Sequence, residues 1–322
     1  MRALVTGAAG FVGSHLAVRL ASDGWSVDGV DSFTDYYSRA RKEDNAAVLR
    51  AAGVRLLELD LNTVPLEPLL ADVDVVFHQA GQPGVRKSWG DNFSTYTEAN
   101  VNATQKLLEA ARSAKKLRRF VYASSSSVYG DAERFPTRES DLPRPHSPYG
   151  VTKLAAEHLC VLYARNFDVP TVSLRYFTVY GPRQRPDMAF TRFVTAAVEE
   201  SPIKIFGDGN QIRDFTYVED VVSANLAVAE STRVAPGAVF NVAGGSSISV
   251  NGVLGHIREI HGSELHVDYL PRVDGDVFRT GGSTAAIAEA TGWAPTVDIR
   301  EGLSRHYQWA AKGIAEGTLV RL

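Results

Sequence analysis

ALVTGAAGFVGSHLAVRL, residues 3–20, passes from a short apolar run through three glycines into a helical pattern. Gly7, Gly10 and Gly13 are spaced three apart, directly after the run and at the start of the helix. A strand before and a helix after such glycines are the context of a dinucleotide-phosphate loop. Gly7 allows the tight turn. Gly10 lets backbone approach a pyrophosphate, and Gly13 lets helix pack on strand. Unpaired N–H groups and the positive dipole end of the helix then face the anion. An ordinary glycine-rich turn is the alternative, but a second signal agrees with the first. Asp31 closes the next β-rich run, about 20 residues on, where a carboxylate accepts the hydroxyls of a ribose. It would repel a 2′-phosphate, which favours NAD over NADP. Asp60 ends the third run and could meet the adenine amino group or cap the next segment.

The first half of the chain alternates. β-rich runs at 3–7, 26–31, 54–60, 73–80 and 119–125 are followed by others at 170–177 and 238–244. Helical patterns lie between most of them, chiefly at 13–24, 100–116 and 147–167. Alternation of this kind predicts an α/β fold, a doubly wound parallel sheet covered on both faces. After 177 the pattern loosens. Residues 178–190 read as a loop, 203–222 as a short strand, a glycine-rich turn and a helix start, and Ser249 as the cap of a further helix. The expected division is a dinucleotide-binding domain of 1–177 with 211–243, and a smaller interleaved α/β domain of 178–210 with 244–322 for the substrate.

Bulk composition narrows the partners. The 322 residues are 44% hydrophobic and 22% charged, enough apolar content for a real core. A net charge of −3 with no long basic run argues against nucleic acid and anionic membrane. Cys160 is the single cysteine, so no internal disulfide forms and a reducing cytoplasm fits. No Cys/His spacing suggests a metal site. The apolar start lacks a basic n-region and a small-residue cleavage site, so it does not read as a signal peptide. No apolar stretch reaches the roughly 18 residues of a membrane helix. His78, His146 and His158 have no partner spacing and are expected to be structural or solvent-facing. Cys160 is expected to be a buried, inert thiol.

YGVTK, residues 149–153, supplies the chemistry. Tyr149 and Lys153 are four apart and share a helix face. A phenol near pKa 10 is a poor base at neutral pH, but an ammonium and a positively charged nicotinamide would each favour its phenolate. A solvated helix face is the alternative; the dinucleotide loop upstream makes the pair a general base beside an oxidised cofactor.

Taken together, the glycine loop, the serine run 124–127 before Val128-Tyr129-Gly130, Tyr149-x-x-x-Lys153 and RYFTVYGP (175–182) resemble the extended short-chain dehydrogenase/reductases. These include the NAD-dependent sugar-nucleotide epimerases, dehydratases and decarboxylases. The resemblance implies Tyr149 as base, Lys153 on the nicotinamide ribose and Ser125 as the hydroxyl bridging substrate and Tyr149. It implies that Asn100 holds the active-site helix and that Tyr176 and Phe177 flank the nicotinamide. Further cofactor contacts are expected from Phe11, Val12, Leu61, Gln79, Ala80, Gly81 and Ala123. It also implies a homodimer paired through helices at about 92–113 and 149–165.

The residues after Ser125 discriminate between reactions. The dehydratases resemble Thr-Asp-Glu, and the UDP-glucuronate decarboxylases Thr-Ser-Glu, where this chain has Ser125, Ser126 and Ser127. No carboxyl group is present there to eliminate water. Small hydroxyls, with Thr178 where most relatives have Asn, can instead bond a substrate carboxylate without repelling it. DSFTDYYS (31–38), QPGVRKSWG (82–90) and GPRQRPDMAF (181–190) resemble segments of the UDP-glucuronate 4-epimerases. The expected reaction is therefore epimerisation at carbon 4 of UDP-glucuronate through a 4-keto sugar. A UDP-glucuronate decarboxylase, a neutral UDP-hexose 4-epimerase and a non-catalytic NAD-binding redox sensor remain as alternatives. Expected substrate contacts are Pro83, Gly84, Val85 and Arg86 in the 82–90 loop, the hydroxyls of Ser125, Ser126, Ser127 and Thr178, and Arg185, Arg192, Phe206, Arg213 and Asp276. Arg213 is expected at the diphosphate and Phe206 at the uracil. For Arg185, a substrate carboxylate and a loop role are both open.

Overall fold

Single-residue alternation along the strands explains the layering. In β1 (Arg2–Thr6), Ala3 and Val5 join one buried cluster while Leu4 joins another. In the computed structural model, which describes residues 1–271 and 279–318, the same division recurs along the sheet. In β4 (Val75–His78), Val75 and Phe77 face the first cluster and Val76 the second. In β5 (Arg119–Ser125), Val121 faces the first, and Phe120 and Tyr122 the second. A sheet buried on both faces must be covered by helices on both faces.

The order along the chain is β1, α1 (Phe11–Ser22), β2 (Ser26–Asp31), α2 (Arg39–Ala51), β3 (Arg55–Glu58), α3 (Glu67–Leu70) and β4 (Val75–His78). There follow α4 (Phe93–Tyr96), a π-helical stretch (Thr97–Asn102), α5 (Ala103–Ala111), β5 (Arg119–Ser125), α6 (Pro148–Phe167) and β6 (Thr171–Tyr176). β7 (Thr178–Tyr180), α7 (Ala189–Val198), β8 (Ile203–Phe206), β9 (Ile212–Tyr217), α8 (Val218–Glu230) and β10 (Ala238–Val242) come next. The last are β11 (Ser247–Ser249), α9 (Val250–His261), β12 (Val267–Leu270), α10 (Ala285–Thr291) and α11 (Ile299–Ala315). Seven parallel strands form the main sheet in the order β10-β6-β5-β4-β1-β2-β3. The strand order reverses between β1 and β4, so a crevice opens there at the carboxyl ends of the strands.

β7, β9 and β11 make a second sheet, and β8 pairs with β12. β9, which the sequence-based division assigns to the dinucleotide domain, thus pairs outside the main sheet. The chain rejoins that sheet through α8 and β10. The stretch 178–190, read as a loop, contains the short strand β7 and the first residues of α7. The expected capped helix is present: the Ser249 hydroxyl accepts from the Gly252 N–H at 3.0 Å.

Candidate active site

The cleft at the β1–β4 crevice has a volume of about 750 Å³. At one end, Gly7 adopts φ +66°, and a Cβ there would lie 2.8 Å from the Ala80 amide nitrogen. A side chain on Gly13 would collide with the Gly7 carbonyl. The cradle therefore closes only with glycine at these positions. α1 begins at Gly10 with no side-chain cap and no acidic residue in its first turn, so its N–H groups are left for a ligand. These features fit the pyrophosphate of a dinucleotide.

Asp31 ends β2 at the same crevice. Its carboxylate accepts from the Ala9 N–H at 3.1 Å, the Phe33 N–H at 2.8 Å and Lys42 Nζ at 3.2 Å. Lys42, unread in the sequence, neutralises part of the charge that would repel a 2′-phosphate. The Asp31 carboxylate remains part of the cleft wall. Asp60 lines the cleft and accepts the Asn62 N–H at 2.8 Å, the capping contact.

The groups expected to react lie on β5 and α6. The Ser147 side chain caps α6 by accepting the Gly150 N–H at 3.1 Å, and Pro148 fixes the first turn. Tyr149 is thereby held at the mouth of the helix, with Lys153 one turn deeper. Tyr149 hydrogen-bonds Ser125, at the end of β5. Ser125 Oγ in turn accepts the Ser127 N–H at 3.1 Å. Burial pushes the Tyr149 phenol up, against the Ser125 bond and the charge of Arg185, which pull it down. Arg185 thus adds to the downward pull on Tyr149, and Lys153, expected to tune the phenol, lies one turn along the same helix. Lys153 Nζ sits 4.5 Å over the Tyr122 ring, and burial pulls its pKa down to about 8.

That shift has a testable cost. A folded pKa near 8 against 10.5 unfolded means that the unfolded chain binds more protons between those values. Stability should then rise with pH across this window, and below it the buried ammonium costs roughly 3 kcal/mol. Lys153→Met should unfold at a higher temperature than the parent at pH 7 in the absence of cofactor. The difference should shrink from pH 8 to 10, as followed by circular dichroism.

Asn100 lies in the π-helical stretch, an irregularity frequent at functional sites. Its Oδ1 accepts the Gln82 N–H at 2.6 Å, and its Nδ2 donates to the Gln82 carbonyl at 3.1 Å and to Thr152 Oγ1 at 3.0 Å. One side chain thus ties the 82–90 loop to α6. Gln79 Nε2 donates to Asn225 Oδ1 at 3.1 Å, and Asn225 Nδ2 donates to the Tyr176 hydroxyl at 2.8 Å. Behind the serine run, Ser124 Oγ donates to Glu157 at 2.6 Å, and Arg175 forms a two-pronged pair with the same carboxylate at 2.6 and 3.0 Å. Sequence reasoning missed Asn225, Glu157 and Arg175. The last two had a signal: charges inside an apolar helix and an apolar strand.

The cleft brings together the expected cofactor contacts Gly7, Gly10, Phe11, Val12, Gly13, Asp31, Asp60, Leu61, Gln79, Ala80, Gly81 and Ala123. It also gathers Tyr149, Lys153, Tyr176, Phe177, Pro83, Gly84, Val85, Ser125, Ser126, Ser127, Thr178 and Arg185. Asn100 stands behind its wall. Arg86, Arg192, Phe206 and Arg213 do not line it. The Arg86 guanidinium instead stacks 5.1 Å over the Phe206 ring, so these two substrate candidates face each other. Arg192 lies on α7, and Arg213, on β9, donates to the Ile212 carbonyl at 3.0 Å. Asp276 lies outside the described residues. His78 is fully buried between Thr6 and Thr104, at 2.7 and 2.9 Å, a structural bridge. His146 and His158 are exposed, and Cys160 is buried.

A doubly wound sheet, a glycine cradle and a Ser-Tyr-Lys group at its mouth define a dinucleotide-dependent enzyme that interconverts alcohol and ketone. Residues 3–243 match the NAD dependent epimerase/dehydratase family, and the chain belongs to it. It is 40% identical over 94% of its length, and 96% of the relative's, to the uncharacterized UDP-glucose epimerase YtcB of Bacillus subtilis. A probable UDP-glucuronate 4-epimerase of Rhizobium meliloti is 35% identical, with 96% of each chain covered. The crystal structure of UDP-glucuronic acid 4-epimerase from Bacillus cereus, in complex with UDP-glucuronic acid and NAD, superimposes with a TM-score of 0.93. That match covers 97% of this chain and 99% of the other, at 41% identity.

Proposed function

We propose that this chain is an NAD-dependent UDP-glucuronate 4-epimerase, an isomerase interconverting UDP-glucuronate and UDP-galacturonate. One observation carries the reading. Ser126, Ser127, Thr178 and Arg185 line the cleft that holds Tyr149 and Ser125, with three hydroxyls and a cation and no carboxylate next to Ser125. Such a set receives a uronate rather than a neutral hexose. The B. cereus structure with UDP-glucuronic acid and NAD supports the same substrate and cofactor.

NAD, when bound, takes the hydride from carbon 4 and gives it back. Tyr149 accepts the proton of the carbon 4 hydroxyl, through or beside Ser125, and returns it after the hydride is restored on the other face. Burial outweighs the Ser125 bond and the Arg185 charge and raises the Tyr149 phenol, so the further positive charge of an oxidised nicotinamide would favour its phenolate. Lys153 holds the nicotinamide ribose. Gly7, Gly10 and Gly13 with the first turn of α1 hold the pyrophosphate, and Asp31 the adenosine ribose. Residues 1–177 with 218–243 form the cofactor part and the rest the UDP-sugar part. Arg213 serves the diphosphate. Phe206, with Arg86 stacked on it, is assigned to the uracil.

Oxidation at carbon 4 makes a β-keto acid, which loses carbon dioxide readily. The hydroxyls of Ser127 and Thr178 hold the carboxylate so that its breaking bond stays out of line with the ketone π system. Replacing both by Ala should raise the share of UDP-pentose products, read by NMR of the sugar; an unchanged ratio contradicts this role. In the parent enzyme, UDP-glucuronate should give UDP-galacturonate. UDP-pentose from the parent would favour a decarboxylase, and no change would favour a neutral sugar or a redox sensor.

The enzyme works in the cytoplasm as a homodimer, without nucleic acid or membrane partners. Phe93 of α4 and Val151, Leu162 and Phe167 of α6 are exposed apolar side chains on the helices expected to pair. Among the described residues no helix is long and apolar enough to cross a membrane.

A further inference from the structure

A second cavity, of about 260 Å³, is lined by α2, the 183–186 segment and α11. It shares Tyr37 and Arg185 with the catalytic cleft but lacks every residue of the Ser-Tyr-Lys group. Three arginines line it, Arg41, Arg183 and Arg185, against one carboxylate, Asp44. Two of the three are served elsewhere. Arg41 is 3.7 Å from Asp44 and donates to the Thr318 carbonyl at 2.9 Å, and Arg185 is paired with Asp187 at 2.9 Å.

Among the described residues Arg183 has no carboxylate or carbonyl partner of that kind. Its Nη1 is buried without a hydrogen bond. Its Nε points at His15 Nε2, 3.2 Å away, but that nitrogen also lies 2.8 Å from the Pro182 carbonyl. A ring nitrogen that donates to Pro182 has no lone pair left for Arg183. Burial alone acts on the guanidinium and pulls it down to about 10, so it stays charged at neutral pH. The residue is also held at φ +64°, a conformation that a non-glycine residue keeps only when its surroundings enforce it. Arg183 as a whole is half-buried, but a buried guanidinium nitrogen without a partner is costly, and such groups are normally matched by an acceptor or counter-charge.

We infer that this rear cavity is a binding site for a small phosphate-bearing anion, with Arg183 as its principal ligand and Arg41 and Arg185 beside it. The volume lies just under the usual range of about 300–1,000 Å³ for drug-sized ligands and so suits a small ion. Tyr37 and Trp309 on the walls leave room for the anion to be free or part of a nucleotide. Because Arg185 borders both cavities, occupancy behind it would alter a cation that acts on Tyr149.

The test uses the NAD-loaded enzyme with its catalytic cleft saturated by UDP, so that phosphate binding there is already satisfied. Inorganic pyrophosphate is titrated by calorimetry, with UMP as a separate arm to show whether a nucleoside is accepted. The expected result is one further saturable site for pyrophosphate, weakened at least tenfold in Arg183→Gln and, to a lesser degree, in Arg41→Gln. Without the anion, Arg183→Gln should melt no lower than the parent, because it removes a buried guanidinium nitrogen without a partner. It should also lose the rise in melting temperature that pyrophosphate gives the parent. No further site at millimolar pyrophosphate, or equal binding by Arg183→Gln, would overturn the proposal.

Discussion

Replacing Tyr149 with Phe lowers the turnover of UDP-glucuronate by about 10²- to 10⁴-fold, the range that one positioned acid–base group contributes. The substitution deletes one oxygen. Its hydrogen bond to Ser125 disappears, while the ring keeps its edge-on contact with Tyr96 at 6.2 Å between centroids. NAD affinity and the fold should therefore survive, since the glycine cradle, Asp31 and Lys153 are untouched. The measurement is turnover against NAD content of the purified variant. Loss of bound NAD in parallel with activity would show that Tyr149 serves the cofactor site instead of proton transfer.

Glu157→Ala is expected to cost about 3–5 kcal/mol of stability, the usual effect of breaking a buried ion pair from one side. The Glu157 and Arg175 side chains are 2% and 5% exposed, so an orphaned guanidinium cannot reach water. The loss also frees Ser124 Oγ and leaves Arg175 with the Tyr129 hydroxyl at 2.7 Å. Because this network lies directly behind β5 and α6, the spacing of Ser125 and Tyr149 should loosen as well. Chemical denaturation gives the stability, and turnover measured well below the melting point gives the positioning effect. The double variant Glu157→Leu, Arg175→Met should recover much of the stability, because it removes both charges together. A Glu157→Ala variant as stable as the parent would mean that the pair contributes nothing.

The main sheet was legible because its strands are buried on both faces and read as apolar runs, each ended by glycine or a polar residue. β2 at 26–31 and β5 at 119–125 fall where the runs do. Weaker elements were not legible. α2, RARKEDNAAVLRA, carries so many charges that its buried face reduces to Lys42, Asn45, Ala46 and Leu49, two of them polar for the sake of the cofactor crevice. β7 and β9 are short and pair with each other across more than thirty intervening residues, a long-range contact with no local signature. In the site, residues that act from a motif were readable, because spacing on a helix or after a strand fixes where they point. Asn225, Glu157 and Arg175 act by supporting those residues across distant elements, and no spacing marks them. Arg86 and Phe206 were both read as substrate contacts, but nothing in the sequence showed that they stack on each other.

In the proposed reaction a hydride leaves carbon 4 and returns to it, with no carboxyl group next to Ser125 to divert the intermediate. UDP-glucuronate carrying deuterium at carbon 4 tests it directly, with the NAD-loaded enzyme in ordinary water. The account predicts UDP-galacturonate that keeps deuterium at carbon 4, takes up no solvent hydrogen there and retains its carboxylate. Product that has lost the label to solvent, or a UDP-pentose as the main product, would contradict it.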